Sequence, residues 1–161
     1  MGQLKCGSGC SEDLYFGTEQ LLEGFSVART ALSEEDIKLL EGKNFAQIAT
    51  VGPDGWPSVT TVWVDHAGGM VLINTAMGRK KHRNLSKDPR VSIAVNDASN
   101  PYKATFIRGK VIETIEGKDA EDHIHKMSKK YTGREKYPLA PGERRILYKI
   151  QPLRVKHWPP S

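Results

Sequence analysis

The chain has 161 residues, with 24 Lys plus Arg against 19 Asp plus Glu and only two Cys. That length supports one compact domain with a sizeable core and excludes a large multidomain enzyme. The net charge of +5 points toward anionic partners such as phosphates, nucleic acid or an anionic cofactor, and no run approaches the ~20 consecutive apolar residues of a membrane helix.

Residues 1–17 lack a periodic apolar pattern and read as an extension ahead of a single domain over 18–161. They carry no basic region, apolar stretch and cleavage site of a secretory leader, so the cytoplasm is the expected compartment. Cys6 and Cys10 stand in Cys-Gly-Ser-Gly-Cys, but no second Cys/His pair follows at zinc spacing. The segment therefore reads as a Gly/Ser-rich tail rather than a metal half-site or a disulfide.

A short helical turn fits 18–24, and Ser33-Glu34-Glu35-Asp36 opens a clearer helix. Ser33 is its N-cap, the acids favour the first turn, Ile37, Leu39 and Leu40 form the apolar side, and Gly42 ends it. The period then changes to that of strands. Residues 45–51 are rich in β-formers, and Gly52-Pro53-Asp54-Gly55 turns them into a second strand over 57–65. On that strand Val59, Thr61 and Trp63 share one face and Thr60, Val62 and Val64 the other. An aromatic on an alternating strand is more often core than pocket wall, so Trp63 is assigned to the core.

Ala67-Gly68-Gly69 leads to a third strand over 70–75, and a fourth follows over 90–96. Residues 102–115 form a long β-like segment with a bend or bulge at Gly109. A helix spans 118–132, where Ala120, Ile124, Met127 and Tyr131 recur at helical spacing before Gly133. A Pro-bearing loop at 137–142 precedes a last extended segment over 145–150 and 153–158. Six mostly antiparallel strands with helices at the ends and between predict a small, mainly β barrel with flanking helices.

The chemistry-bearing residues concentrate between Asn74 and Arg90. A strand ending in small polar residues, then Gly78, then Arg79, Lys80, Lys81 and Arg83 at a helix start, describes a phosphate site in physical terms. Cations at a helix start oppose its dipole and gain from a bound anion. A solvated basic face is the plain alternative. Nucleic acid is a further one, since five cations fall between Arg79 and Lys87 and Trp56 and Tyr102 could stack on bases. The remaining basic charge is scattered among acids, however, so nucleic acid is not the expected partner.

The residues Asn44-Phe45-Ala46-x-Ile48-Ala49-Thr50, Pro53-Asp54-Gly55-x-Pro57 and Ser58-Val59-Thr60-Thr61-Val62-Trp63-Val64 form an ordered series. The series continues through Asn74-Thr75-Ala76-x-Gly78-Arg79-Lys80-Lys81-x-Arg83-Asn84-Leu85, Asp88-Pro89-Arg90-Val91, Asn100-Pro101-Tyr102 and Arg108-Gly109-Lys110-Val111. Taken together it resembles the flavin/deazaflavin oxidoreductases of the pyridoxamine 5'-phosphate oxidase-like superfamily, specifically its coenzyme F420-dependent branch. The likeness covers about residues 33–158.

This resemblance implies an FMN-binding split β-barrel, a homodimer, and two cofactor sites at the subunit interface. It implies that Arg79 and Lys81 grip the cofactor phosphate, with Lys80 and Asn84 assisting and Asn74, Thr75 and Ala76 lining the approach. Ser58, Val59, Thr60 and Thr61 would present backbone groups along the ring edge, and Pro101 and Tyr102 would reach the ring from the other subunit.

The activity it implies is an F420-dependent reductase passing hydride to a small unsaturated substrate. An FMN-dependent enzyme of the same fold and a non-catalytic F420 carrier or storage protein are the alternatives. No Ser-His-Asp spacing, carboxylate pair or zinc set stands out, as fits a site where the cofactor supplies the reactive atom. His66, His82, His123 and His125 are proton-donor candidates by chemistry alone.

Overall fold

The computed structural model describes residues 29–159, so the expectations for the Cys-bearing tail and the turn at 18–24 lie outside the described residues. Ser33 starts helix α1 (Glu34–Glu41) through a capping box in which its side chain accepts from the Asp36 amide and Asp36 accepts from the Ser33 amide. Asp36 does more than cap. It is fully buried, and it also accepts from Arg29 Nη2 at 3.1 Å and lies 3.2 Å from His157 Nδ1, which ties the helix to the end of the chain.

Strand β1 (Ala46–Val51) turns at Asp54, whose carboxylate accepts from the Trp56 amide, into β2 (Pro57–Val62). The single strand expected over 57–65 is broken at Trp63, and β3 (Val64–Ala67) begins immediately after it. The cause lies in backbone hydrogen bonding. Val64 donates its N–H to Tyr131 Oη at 3.1 Å, and its carbonyl accepts from Lys130 Nζ at 3.0 Å, so a distant helix takes the bonds that would have extended β2. Val62 and Val64 are both buried, and apolar alternation therefore runs unbroken across the joint.

The remaining elements are β4 (Met70–Ala76), α2 (Lys80–Leu85), β5 (Arg90–Asn96), β6 (Ala104–Glu116), α3 (Lys118–Thr132) and β7 (Arg145–Trp158). Among the described residues the strands number seven rather than six and form one antiparallel sheet in the order β2-β1-β5-β6-β7-β4-β3. Its two outer strands are successive pieces of chain, so the sheet curls round on itself without closing: a split barrel. Register shifts in β6 fall at Arg108/Gly109 and Val111/Glu113, as the bulge expected at Gly109 requires. A Cβ there would lie 2.7 Å from Ile150 Cγ2 and 2.8 Å from the Gln151 carbonyl, which only glycine avoids.

The core inside the curl is built from Ile48, Ile73, Ile93, Ile107, Ile150 and Val155, closed at one end by Leu39 and Leu40 of α1. Each such side chain contributes about 1.5–3 kcal/mol by burial. Helix α3 buries Ala120 against Leu72 and Leu147, a smaller cluster that holds the helix beside β4 and β7. No helix among the described residues is long and apolar enough to cross a membrane.

Candidate functional site

The end of β4 is buried through Ala76, and Gly78 (φ 76°) then turns the chain into α2 with Arg79 at the helix cap. The left-handed φ at Gly78 suits glycine, and the turn carries Arg79 and Lys81 back toward Asn74 and Thr75. These four residues line one cavity of about 190 Å³, together with Thr61 of β2 and Arg145 of β7. Phe45, Trp63 and Tyr137 form its aromatic side, with Val62 and Ile124 beneath.

The polar side holds more donors than acceptors. Arg145 is buried, yet its charge is met: Nη1 lies 2.5 Å from Glu143 Oε1, and Nε donates to Asn74 Oδ1 at 2.9 Å. Its guanidinium also sits over the Tyr137 ring, 5.2 Å from the centroid. Burial would raise the Glu143 carboxyl, but Arg145 outweighs it and holds the group below the usual carboxylate range. Lys81 is different. It is 8% exposed and makes no hydrogen bond or ion pair among the described residues, and burial, then Arg79 and Arg145, push its ammonium below the usual lysine range. Thr75 Oγ1 is also buried without a partner. A buried cation and hydroxyl left unmatched are costly, and an anionic oxygen satisfies both.

On the aromatic side, Tyr131 donates its hydroxyl to the Asn44 carbonyl at 2.7 Å and is thereby fixed. Trp63 stacks on it with centroids 5.2 Å apart and planes 4° from parallel, and meets Tyr137 edge-on at 5.8 Å. Trp63 is thus half-buried and faces the cavity, which corrects its assignment to the core. It keeps the strand's alternation, on the same face as Val59 and Thr61, while Val62 and Val64 take the core side.

Of the residues expected at the site, Thr61, Asn74, Thr75, Arg79 and Lys81 meet in this cavity. Ser58, Val59 and Thr60 lie further along β2, outside the lining, with Val59 exposed and Thr60 Oγ1 buried without a partner. Ala76 is buried opposite Arg145 in the sheet, and Lys80 points to solvent. Asn84 is committed elsewhere, donating Nδ2 to Thr50 Oγ1 at 3.0 Å. Pro101 and Tyr102 are exposed in the turn between β5 and β6, away from this chain's own cavity.

Arg145 and Phe45 were not expected at the site. Arg145 carries a local signal, a charge at the head of an apolar strand, but its place opposite Ala76 depends on the β4–β7 register. None of the histidines lines the cavity. His82 pairs with Tyr148 Oη at 2.7 Å, and burial pushes that hydroxyl up to about 12.

The fold is a split barrel whose cavity sets cations beside an aromatic wall, a setting suited to an anionic, ring-bearing ligand. The chain belongs to the pyridoxamine 5'-phosphate oxidase family, whose sequence model matches residues 32–159. Among solved structures it is similar to an F420 reductase at 28% identity and TM-score 0.69, covering 78% of this chain and 98% of that one. A conserved hypothetical protein from Mycobacterium tuberculosis (24% identity, TM-score 0.65, 83% of this chain and 89% of that one) shares the fold. So does General Stress Protein 26 from Bacillus anthracis, at 18% identity and TM-score 0.62 over 80% of this chain and 94% of that one.

Proposed function

We propose that the protein is an oxidoreductase that binds a phosphate-bearing flavin-type cofactor, coenzyme F420 in preference to FMN, with Arg79 and Lys81 on the phosphate. The observation that carries this reading is Lys81, a buried residue unpaired among the described residues, which shares the cavity lining with a buried Thr75 hydroxyl that has no partner there. Thr61 and Thr75 would order the adjoining part of the cofactor, with Asn74 holding Arg145 beside them, and Trp63 and Tyr137 would shield it from water. When bound, the cofactor supplies two-electron chemistry, delivering hydride to a small unsaturated substrate. The preference for F420 is supported by the likeness to an F420 reductase.

The functional unit is a homodimer in this reading. A cavity of about 190 Å³ is smaller than the ~300–1,000 Å³ that encloses a small-molecule ligand, so one chain forms part of a site. The outward rows of the sheet run Val59, Ala49, Ser92, Arg108 and, beside it, Thr61, Gln47, Ala94, Phe106. Val59 and Phe106 are exposed on those rows, and Thr61 also lines the cavity, so a second copy seated there would reach the site's open side.

A carrier that binds the cofactor without turnover is the second reading, favoured by one observation: among the described residues no histidine or carboxylate lines the cavity to supply a proton. Titration of the purified protein with oxidised F420 and with FMN, followed by fluorescence, tests the cofactor. Reoxidation of reduced F420 by a panel of enones and quinones then separates reductase from carrier. Tight FMN binding with no F420 affinity would overturn the preference, and binding without any turnover would support the carrier.

A further inference from the structure

Behind the cavity lies a buried polar layer that the proposed chemistry does not use, and Asn74 joins the two. On the cavity side its Oδ1 accepts from Arg145 Nε at 2.9 Å. On the other, Nδ2 donates to the Ala120 carbonyl at 2.7 Å and faces His123 Nδ1 at 3.4 Å. The two firm bonds fix the amide's orientation, because a flipped amide would set its NH₂ against the Arg145 N–H and its oxygen against a carbonyl. His123 Nδ1 must then be an acceptor, and the ring proton sits on Nε2. That nitrogen is buried with no hydrogen-bond partner, 3.5 Å from Asp65 Oδ2.

Asp65 is itself buried and takes Lys126 Nζ at 2.5 Å. The groups around His123 are therefore Asp65 from β3, Asn74 from β4 with Arg145 of β7 behind it, and the Ala120 carbonyl and Lys126 on its own helix.

We propose that His123 is a positioning residue for the cavity: as a neutral imidazole its Nδ1 accepts the second Asn74 N–H and so adds to the orientation that anchors Arg145, and its protonation opposes that orientation and weakens anion binding. A doubly protonated ring sets an N–H against the Asn74 NH₂. The amide turns over, the Arg145 Nε bond is lost, and Arg145 is left with Glu143 and the Tyr137 ring. This inference rests on reading the cavity as an anion site.

The test is titration of oxidised F420 and FMN into wild type, His123→Asn and His123→Leu from about pH 8 to about pH 5, a range that spans imidazole titration. Asparagine places an amide oxygen near the Nδ1 position and does not titrate; leucine offers no acceptor. Wild type should lose about tenfold in affinity on acidification, the size of one hydrogen bond to a charged group. His123→Asn should bind like wild type at the alkaline end with a flattened profile, and His123→Leu should bind about tenfold more weakly throughout. Because the FMN phosphate itself gains a proton near pH ~6, the asparagine variant is also the control for the ligand. A wild-type pH profile in His123→Asn overturns the proposal.

Arg79→Ala with Lys81→Ala separates the two failures: unchanged binding there sinks the anion site itself. In that case nitrogen NMR still decides the positioning role without ligand. A ring protonated on Nδ1 at the alkaline end, or Asn74 amide signals that do not move between the two ends of the pH range, would overturn it.

Discussion

Replacing Lys81, a residue 8% exposed, with methionine keeps most of the side-chain volume and removes a charge that is unpaired among the described residues. If the ammonium is held in place for a ligand, the free protein bears its cost. Lys81→Met should then stabilise the ligand-free protein by about 1–2 kcal/mol, as when uncompensated buried ions give way to apolar groups. For a chain of this length that is a rise in Tm of roughly 2–8 °C.

The pH dependence carries a sign. Burial and the neighbouring arginines lower the folded-state pKa of Lys81 below its ordinary 10.5, so the penalty is present while the group is charged. Stability of the wild type should rise as pH climbs from the folded value toward 10.5, and its gap to Lys81→Met should close there. Over the same change the affinity for FMN or F420 should fall by about 30- to 150-fold, the loss of a charge-assisted hydrogen bond of ~2–3 kcal/mol. Thermal denaturation with and without cofactor reads both effects. A methionine variant that is less stable and binds the cofactor normally would refute the reasoning.

Burial would raise the Asp36 carboxyl, but the Ser33 amide and hydroxyl, Thr105 and His157 together hold it below 3.8. It therefore stabilises the fold above its unfolded value, and that contribution is lost as pH falls below 3.8 through the folded value. Asp36→Asn should cost about 3 kcal/mol near neutral pH in urea denaturation, with the difference from wild type shrinking in acid. Gly109→Ala should destabilise by about 1–3 kcal/mol, because its Cβ meets Ile150 and the Gln151 backbone. Phe106→Glu, which puts a charge on the outward rows of the sheet, should shift the protein to monomer in sedimentation and weaken cofactor binding without lowering Tm by more than ~2 °C. An unchanged dimer would move the interface elsewhere.

What local chemistry determines could be read along the chain. The Ser33 cap, the bulge at Gly109 and the stop at Gly133 each follow from one residue's own conformational preference, and each is found in place. The cation cluster after Gly78 was legible for the same reason, since neighbours in sequence stay neighbours in space. Features that depend on distant partners were not. Trp63 follows the strand's alternation, and only the Val64 bonds to α3 reveal the break. Asp36 looks like an ordinary first-turn acid until Arg29 and His157 arrive from elsewhere in the chain. Arg145 enters the cavity through the pairing of β7 with β4, which no local pattern encodes.

The passage from β2 to β3 takes the chain from one margin of the sheet to the other within a single residue, and that residue is also a wall of the cavity. Whatever presses on Trp63 presses on both margins at once, through covalent bonds rather than through packing. A ligand seated against its ring should therefore slow amide hydrogen exchange in β2 and β3 together, although the two strands never pair. The protection would spread inward from two opposite edges, leaving the central strands β5, β6 and β7 nearly unchanged.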